Sequence, residues 1–140
     1  MPDQIVTPML SYPDPGAAAD WLVRGFGFTE TFRLTGESGA VNHVDLELGG
    51  GHVMLACPSP HYVGPREHAD RCEEARRWRD NPHVVDGVHI LVDDLDEHLA
   101  RARAAGATIL SEPEEGHGQR LYRAEDLAGH RWMFGQPLPS

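Results

Sequence analysis

Cysteine and basic residues are scarce in this sequence. Of its 140 residues only Cys57 and Cys72 are cysteines, and they lack the CxxC spacing of many metal sites. We therefore expect two reduced, partly buried thiols. Lysine and arginine together number 12 against 22 aspartates and glutamates, which gives a net charge of −10. A nucleic-acid-binding surface needs a basic patch, so this balance argues against a nucleic-acid partner.

Long apolar runs are also missing. A helix that spans a bilayer needs about 20 consecutive apolar residues, and no stretch of the sequence comes near that length. The sequence also does not open with a charged segment followed by an apolar one, as a secretion signal does. We therefore expect a cytoplasmic protein with no membrane partner. The length suits one compact domain, since domains usually have about 100 to 200 residues.

One strand–helix–strand pattern occurs twice and indicates a duplicated module. In the range Asp86–Leu110 an alternating apolar strand is followed by Asp94, which caps a helix that ends at Gly106. Near the start of the sequence, Asp14 and Gly27 have the same two roles. The matching residues lie 80 and 79 positions apart. Two long copies are too few for a solenoid, so we expect two halves related by a pseudo-twofold axis.

Each copy predicts four strands and one helix in the order βαβββ. The first copy places them at Ile5–Tyr12, Gly16–Phe26, Phe28–Leu34, Val41–Leu48 and His52–Cys57. The second copy places them at Val88–Val92, Leu95–Ala105, Thr108–Leu110, Arg120–Ala124 and His130–Gly135, with Glu112–Gln119 as a loop. The expected fold class is α+β, with two βαβββ modules in a pseudo-twofold arrangement and a curved mixed sheet enclosing a cleft. We place a single domain at residues 1–140, with module 1 at 4–58, a connector at 59–84 and module 2 at 85–137.

Two features disturb this pattern. Pro8 cannot donate to a ladder, so the first strand should lie at a sheet edge or be interrupted there. The connector has no counterpart in the repeat, and its range Pro65–Asp80 predicts a mostly charged helix. We interpret it as a solvated link between the modules. The alternative is a lid over the site or a dimer contact, made through Tyr62 and Trp78.

The duplicated pattern and the closing sequence DLAGHRWMFG resemble the vicinal oxygen chelate superfamily of glyoxalase I, bleomycin-resistance proteins and extradiol dioxygenases. NHVDLELGGGHVMLACP and RLYRAEDLAGHRWMFG are more narrowly similar to small bacterial glyoxalase-like proteins grouped with the PhnB type. The resemblance implies the paired-module fold. It specifies the activity poorly, because this scaffold supports many chemistries.

The resemblance also implies where a metal would bind. Metal-dependent members place His or Glu ligands on the first and fourth strands of each module. Carried over to this sequence, those four positions are Thr7, Met54, Gly87 and Met133. Two thioethers, a hydroxyl group and a glycine offer little to zinc, nickel, manganese or ferrous iron. We therefore expect no metal and no other cofactor.

The strand register predicts which side chains line the cleft. Val53, Leu55, Trp132 and Phe134 should face the helices, and the alternating positions should face the cleft. The predicted ligand-binding residues are Thr7, Met9, His52, Met54, His89, Leu91, Arg131 and Met133, with His43 and Asp45 as possible additions. Soft apolar walls with a few polar groups suit a small, partly apolar organic molecule. We therefore favour a homodimeric binding protein of the bleomycin-resistance type over a lyase or dioxygenase.

Two other functions stay open. A metal-dependent enzyme, whether lyase, isomerase or dioxygenase, could use a different ligand set of His43, Asp45, His52 and His89. A dimeric domain could instead act through protein contacts made by the connector. The remaining histidines have structural interpretations: His130 should bond to the backbone at its turn, and a larger group should be solvated, namely His61, His68, His83, His98 and His117.

Overall fold

The computed structural model describes residues 5–82 and 85–140. Its elements are β1 (Met9–Ser11), α1 (Pro15–Phe26), β2 (Thr29–Thr35), β3 (Val41–Leu48), β4 (Gly51–Ala56), α2 (Pro65–Arg71), α3 (Glu73–Arg79), β5 (Gly87–Leu91), α4 (Leu95–Ala104), β6 (Thr108–Gly116), β7 (Gln119–Glu125) and β8 (Arg131–Pro137). Three boundaries predicted from the sequence lie outside the described residues: the start of the domain at residue 1, the start of module 1 at residue 4 and the end of the connector at residue 84. His83 also lies outside them. Within those residues, no helix has the length and apolar character needed to cross a membrane.

Each module forms one four-stranded mixed sheet. The strand orders are β1-β4-β3-β2 and β5-β8-β7-β6, so the second module repeats the topology of the first. In each sheet the first strand of the module pairs in parallel with the fourth, and the other pairs are antiparallel. The α+β class with two βαβββ modules is thereby confirmed. The two sheets stay separate and do not close, in place of the single curved sheet expected around a cleft.

The helices begin where the aspartate caps predicted. Asp14 Oδ1 accepts a hydrogen bond from the Ala17 backbone N–H at 3.1 Å, and Asp94 Oδ1 accepts one from the Glu97 N–H at 3.1 Å. Each cap satisfies a donor that the first turn of a helix leaves unpaired. Helix α1 ends at Gly27, whose φ of 82° is the left-handed conformation that glycine adopts without strain.

One core joins the two modules. Val53, Leu55, Trp132 and Phe134 are buried against the helices, as the register predicted. Aromatic packing crosses the module boundary, because the ring of Phe26 lies 4.7 Å from Phe134 and 5.6 Å from Trp132 between centroids. Apolar burial of this kind is the main stabilising contribution to folding. Both sheets therefore have one covered face.

Three strands differ from the sequence prediction. β1 covers only Met9–Ser11 at the sheet edge, because Pro8 lacks the N–H that would extend the ladder; its carbonyl still accepts from Met54 at 2.9 Å. β6 continues through the stretch predicted as a loop, and β7 begins at Gln119, so the connection is a tight hairpin. Its two turn residues, His117 and Gly118, have φ of 54° and 76°, the positive values of a two-residue hairpin turn.

The connector forms two helices in place of the one predicted. They meet at Cys72, where the backbone is extended with φ of −136°. Most of their residues are exposed, as expected. Arg66 donates to the carbonyls of Leu127 and Asp126 at 2.8 and 2.9 Å, which fastens α2 to the turn before β8. Cys72 and Cys57 are free and half-buried, as expected.

His98 also corrects the sequence interpretation, because it is buried with 6% exposure instead of solvated. Its Nε2 lies 2.8 Å from the Phe26 carbonyl and its Nδ1 lies 2.6 Å from the Tyr122 hydroxyl. The carbonyl can only accept, so Nε2 donates and Nδ1 accepts from Tyr122. Burial lowers the pKa of His98 and raises the pKa of Tyr122 above its ordinary value. His130 bonds to the backbone as predicted, with Nε2 2.7 Å from the Ser11 carbonyl oxygen.

Candidate functional site

Each sheet has an open face on the side away from the helices. The strand pairing places a set of side chains together on the first open face: Met9, Phe32, Leu34, His43, Asp45, His52 and Met54. It places another set on the second open face: Gly87, His89, Leu91, Gln119, Arg123, Glu125, Arg131, Met133 and Gly135. The predicted cleft residues therefore occur on two surfaces.

The first open face holds an acidic and partly apolar depression. A cavity of about 230 Å³ is lined by Ile5, Thr7, Thr31, Asp45, His52, Val53 and Met54. Beside it, Nε2 of His43 lies 2.5 Å from Oδ1 of Asp45, and both side chains are half-buried. The structure therefore places His43 and Asp45, the two possible further ligand-binding residues, on an open face.

The second open face holds a depression with methionine and valine walls. A cavity of about 280 Å³ is lined by Pro82, Val85, Gly87, Val88, His89, Leu110, Arg123, Arg131, Trp132 and Met133. Arg123 donates to Glu114 at 3.1 Å, and Nε2 of His89 lies 2.9 Å from Oε1 of Gln119. This surface combines apolar walls with separated polar groups.

A third depression lies between the two modules. Its volume is about 390 Å³, and its lining brings Met9 from β1 close to His89 and Arg131 from the second sheet. Leu91 lines none of these three cavities but is 57% exposed on the second open face. The structure thus divides seven of the eight predicted residues among three depressions, and contact with a ligand stays a prediction for all eight.

Arg131 has a structural role that sequence reasoning missed. Its side chain is 6% exposed, and its Nε donates to the equally buried carboxylate of Glu125 at 2.9 Å. The same carboxylate contacts Arg79 from the connector at 2.6 Å. Arg131 also donates to the backbone carbonyls of Arg79 and Asn81 at 2.7 and 2.5 Å. The connector consequently covers one end of the second open face.

Sequence reasoning missed this network because it combines near neighbours, such as Glu125 and Arg131, with Arg79 from a segment outside the repeat. Asp126 gives a second example: its carboxylate accepts from the Tyr12 hydroxyl at 2.6 Å and from the Trp132 indole at 3.1 Å. It also accepts from the backbone N–H groups of Ala128 and His130 at 3.0 Å. Burial and the neighbouring Asp126 carboxylate raise the pKa of Tyr12. With four bonds accepted, Asp126 is a structural acceptor and has no remaining lone pair for proton transfer.

The donor groups do not fit a metal at the positions that the superfamily uses. Thr7, Met54, Gly87 and Met133 supply no imidazole and no carboxylate. The alternative ligand set is divided, because His89 lies on the second sheet and bonds to Gln119. In the part of the chain that the structure describes, no three or more His, Cys, Asp or Glu side chains are grouped so that they could hold a metal ion.

Comparison with known proteins identifies the relatives of this fold. A family model described as the Glyoxalase/Bleomycin resistance protein/Dioxygenase superfamily matches residues 4–134. The chain is 30% identical over 138 residues to the uncharacterized protein Mb0911c of Mycobacterium bovis, across 95% of this chain and 83% of that protein. TioX from Micromonospora sp. ML1 is 36% identical with a TM-score of 0.71, over 97% of this chain and 100% of TioX. TnmS3, described as an antibiotic binding protein from Streptomyces sp. CB03234, is 18% identical with a TM-score of 0.62, over 99% and 100%.

Proposed function

Because the chain belongs to the glyoxalase/bleomycin resistance protein/dioxygenase superfamily, we propose that it binds a small, partly apolar organic molecule on its open sheet faces without a metal ion. The carrying observation is the lining of the cavity on the second open face, where Val85, Leu110 and Met133 surround His89 and Arg123. Binding sites for small molecules combine apolar walls with a few polar groups that orient the ligand. The description of TnmS3 as an antibiotic binding protein supports a binding role.

Independence from metal follows from donor chemistry. A divalent ion of the kind used by metal-dependent members needs imidazole or carboxylate ligands. The corresponding positions carry Thr7, Met54, Gly87 and Met133. Thioethers instead adapt to irregular apolar ligands, because the methionine side chain is flexible and polarisable.

The proposal includes a second copy of the chain. Large apolar side chains on the two open faces are between 50% and 75% exposed, namely Met9, Phe32, Leu34 and Leu91. A small-molecule site usually buries about 70–90% of its ligand, whereas each open face supplies one wall. Association of two copies through these faces would cover the apolar residues and enclose the ligand.

A ligand screen in the presence of a chelator tests this function. We expect partly apolar small molecules to raise the melting temperature equally with and without EDTA, because binding to the folded state stabilises it. The same ligands should stabilise Met133→Ala less than the parent protein. A stabilisation that disappears with EDTA, or that Met133→Ala and Met54→Ala leave unchanged, contradicts the proposal.

A further inference from the structure

One side-chain hydrogen bond crosses the second open face. His89 on β5 and Gln119 on β7 are joined by a contact of 2.9 Å between Nε2 and Oε1. Strand β8 lies between β5 and β7 in the sheet. The two side chains therefore meet above the backbone of β8, facing away from the core.

Gly135 on β8 leaves the space for this bond. It pairs with Leu91 on one side and Leu121 on the other, directly beneath the contact. A Cβ atom at this position would lie 1.7 Å from Oε1 of Gln119 and 3.4 Å from Nε2 of His89. The φ of Gly135 is outside the left-handed region, so its backbone conformation does not require glycine. A Cβ atom here would displace the flexible end of the Gln119 side chain, and with it the bond to His89.

The bonded pair still has hydrogen-bonding capacity. Among residues 5–82 and 85–140, neither side chain bonds to any other group. If Nε2 of His89 donates to Gln119, the pair retains Nδ1 as an acceptor and the amide NH₂ as a donor. If the amide of Gln119 is turned over, Nδ1–H becomes the donor and Oε1 the acceptor. In both arrangements the pair retains at least one donor and at least one acceptor.

We propose that the His89–Gln119 pair recognises an amide group of the bound molecule, that is, an N–H beside a C=O. This inference rests on the proposed function and names the ligand class of the same site. An amide offers an N–H donor and a C=O acceptor, and the pair has both an acceptor and a donor with which to meet them. The apolar part of the ligand would lie along Met133 and Leu91, which neighbour His89 and Gly135 on the face. The neighbouring Arg123 donates to Glu114 at 3.1 Å, which holds its guanidinium group beside the pair.

Two matched probes test the ligand class. 2-Naphthamide and methyl 2-naphthoate share the ring and the carbonyl group, and only the amide has an N–H on the same edge as its C=O. In ¹H–¹⁵N titrations of the full chain we expect the amide to bind about tenfold more tightly than the ester, the effect of one lost hydrogen bond that leaves an acceptor unpaired. The side-chain NH₂ signals of Gln119 should shift with the amide.

Two variants locate the effect. Gly135→Ala places a methyl group where Oε1 of Gln119 lies, and Gln119→Leu removes the polar group while keeping its bulk. In both variants the affinities for the amide and the ester should differ by no more than about twofold, because the ester still binds and the amide loses its advantage. Gly116→Ala is the matched control, because an added Cβ there meets nothing within 4 Å and its φ is not left-handed; it should keep the tenfold ratio.

The outcomes separate the two hypotheses. Equal affinity for amide and ester in the parent protein, or an unchanged ratio in Gln119→Leu, overturns the amide assignment and leaves the proposed binding function standing. Absence of any shift on either open face with both probes contradicts the binding function as well. If Gly135→Ala does not fold, the ratio in Gln119→Leu decides.

Discussion

Replacing Glu125 by glutamine removes the negative charge from the ion cluster between the connector and the second sheet. The Glu125 carboxylate lies 2.9 Å from Arg131 Nε and 2.6 Å from Arg79 Nη2. The side chains of these two arginines are 6% and 13% exposed. Burial lowers the pKa of Arg79, because the charged guanidinium group is poorly solvated at this position. The Glu125 carboxylate offsets part of that effect. The substitution keeps the side-chain size and removes the negative charge that faces the guanidinium groups of Arg131 and Arg79.

The expected loss of stability is large. Removing one partner of a buried ion pair costs about 3–5 kcal/mol, mostly because the remaining charge stays buried without compensation. Glutamine can still accept one hydrogen bond, so we expect about 3 kcal/mol, the lower end of that range. The total stability of a domain is about 5–15 kcal/mol, which makes this loss readily measurable.

Urea unfolding followed by tryptophan fluorescence measures the effect, since Trp21 and Trp132 are both buried. Glu112→Gln is the control, because Glu112 is 68% exposed and pairs with the exposed Arg103. A surface pair of this kind should contribute less than about 1 kcal/mol. If Glu125→Gln also loses less than about 1 kcal/mol with an unchanged slope against urea, the arginines are solvated or paired elsewhere and the reasoning is refuted.

Three further predictions follow from the core, the donor groups and the open faces. Burial lowers the pKa of His98 below its ordinary value of 6.5. The free energy of unfolding should therefore be highest above pH 6.5 and should decrease as the pH falls below 6.5. In urea unfolding, His98→Gln should reduce this decrease. After incubation with zinc, nickel, manganese or ferrous iron, elemental mass spectrometry should find well under one metal ion per chain. One ion per chain would contradict the proposed metal independence, and the His43–Asp45 pair would then be the first to mutate. Sedimentation equilibrium should give about twice the chain mass of 15.5 kDa, and a single-chain mass at all concentrations would exclude the proposed dimer.

The sequence allowed the fold to be predicted wherever local chemistry decides the structure. Asp14 and Asp94 cap their helices because the carboxylate and the N–H that it satisfies are three residues apart. The hairpin at His117 and Gly118 was missed, because its signal is a single glycine after a residue that seldom adopts positive φ. Sequence periodicity also could not show that Arg131 would be buried, because Arg79, which shares the Glu125 carboxylate with it, belongs to a segment outside the repeat.

The two copies of the module show why the fold is easier to predict than the function. Positions facing the helices are apolar in both copies: Val53 corresponds to Trp132 and Leu55 to Phe134, and all four are buried. The shared core requires this, because a polar group there would be buried without a partner.

On the open faces the matched positions differ. Met54 and Met133 correspond, but their neighbours on the next strand are Asp45 and Arg123, which carry opposite charges. Across the parallel pair, Met9 in the first module corresponds to His89 in the second. These positions lie outside the helix-covered core and need not be apolar, so the two copies can carry different side chains there. Function has to be argued from these differing residues, because the shared fold does not determine it.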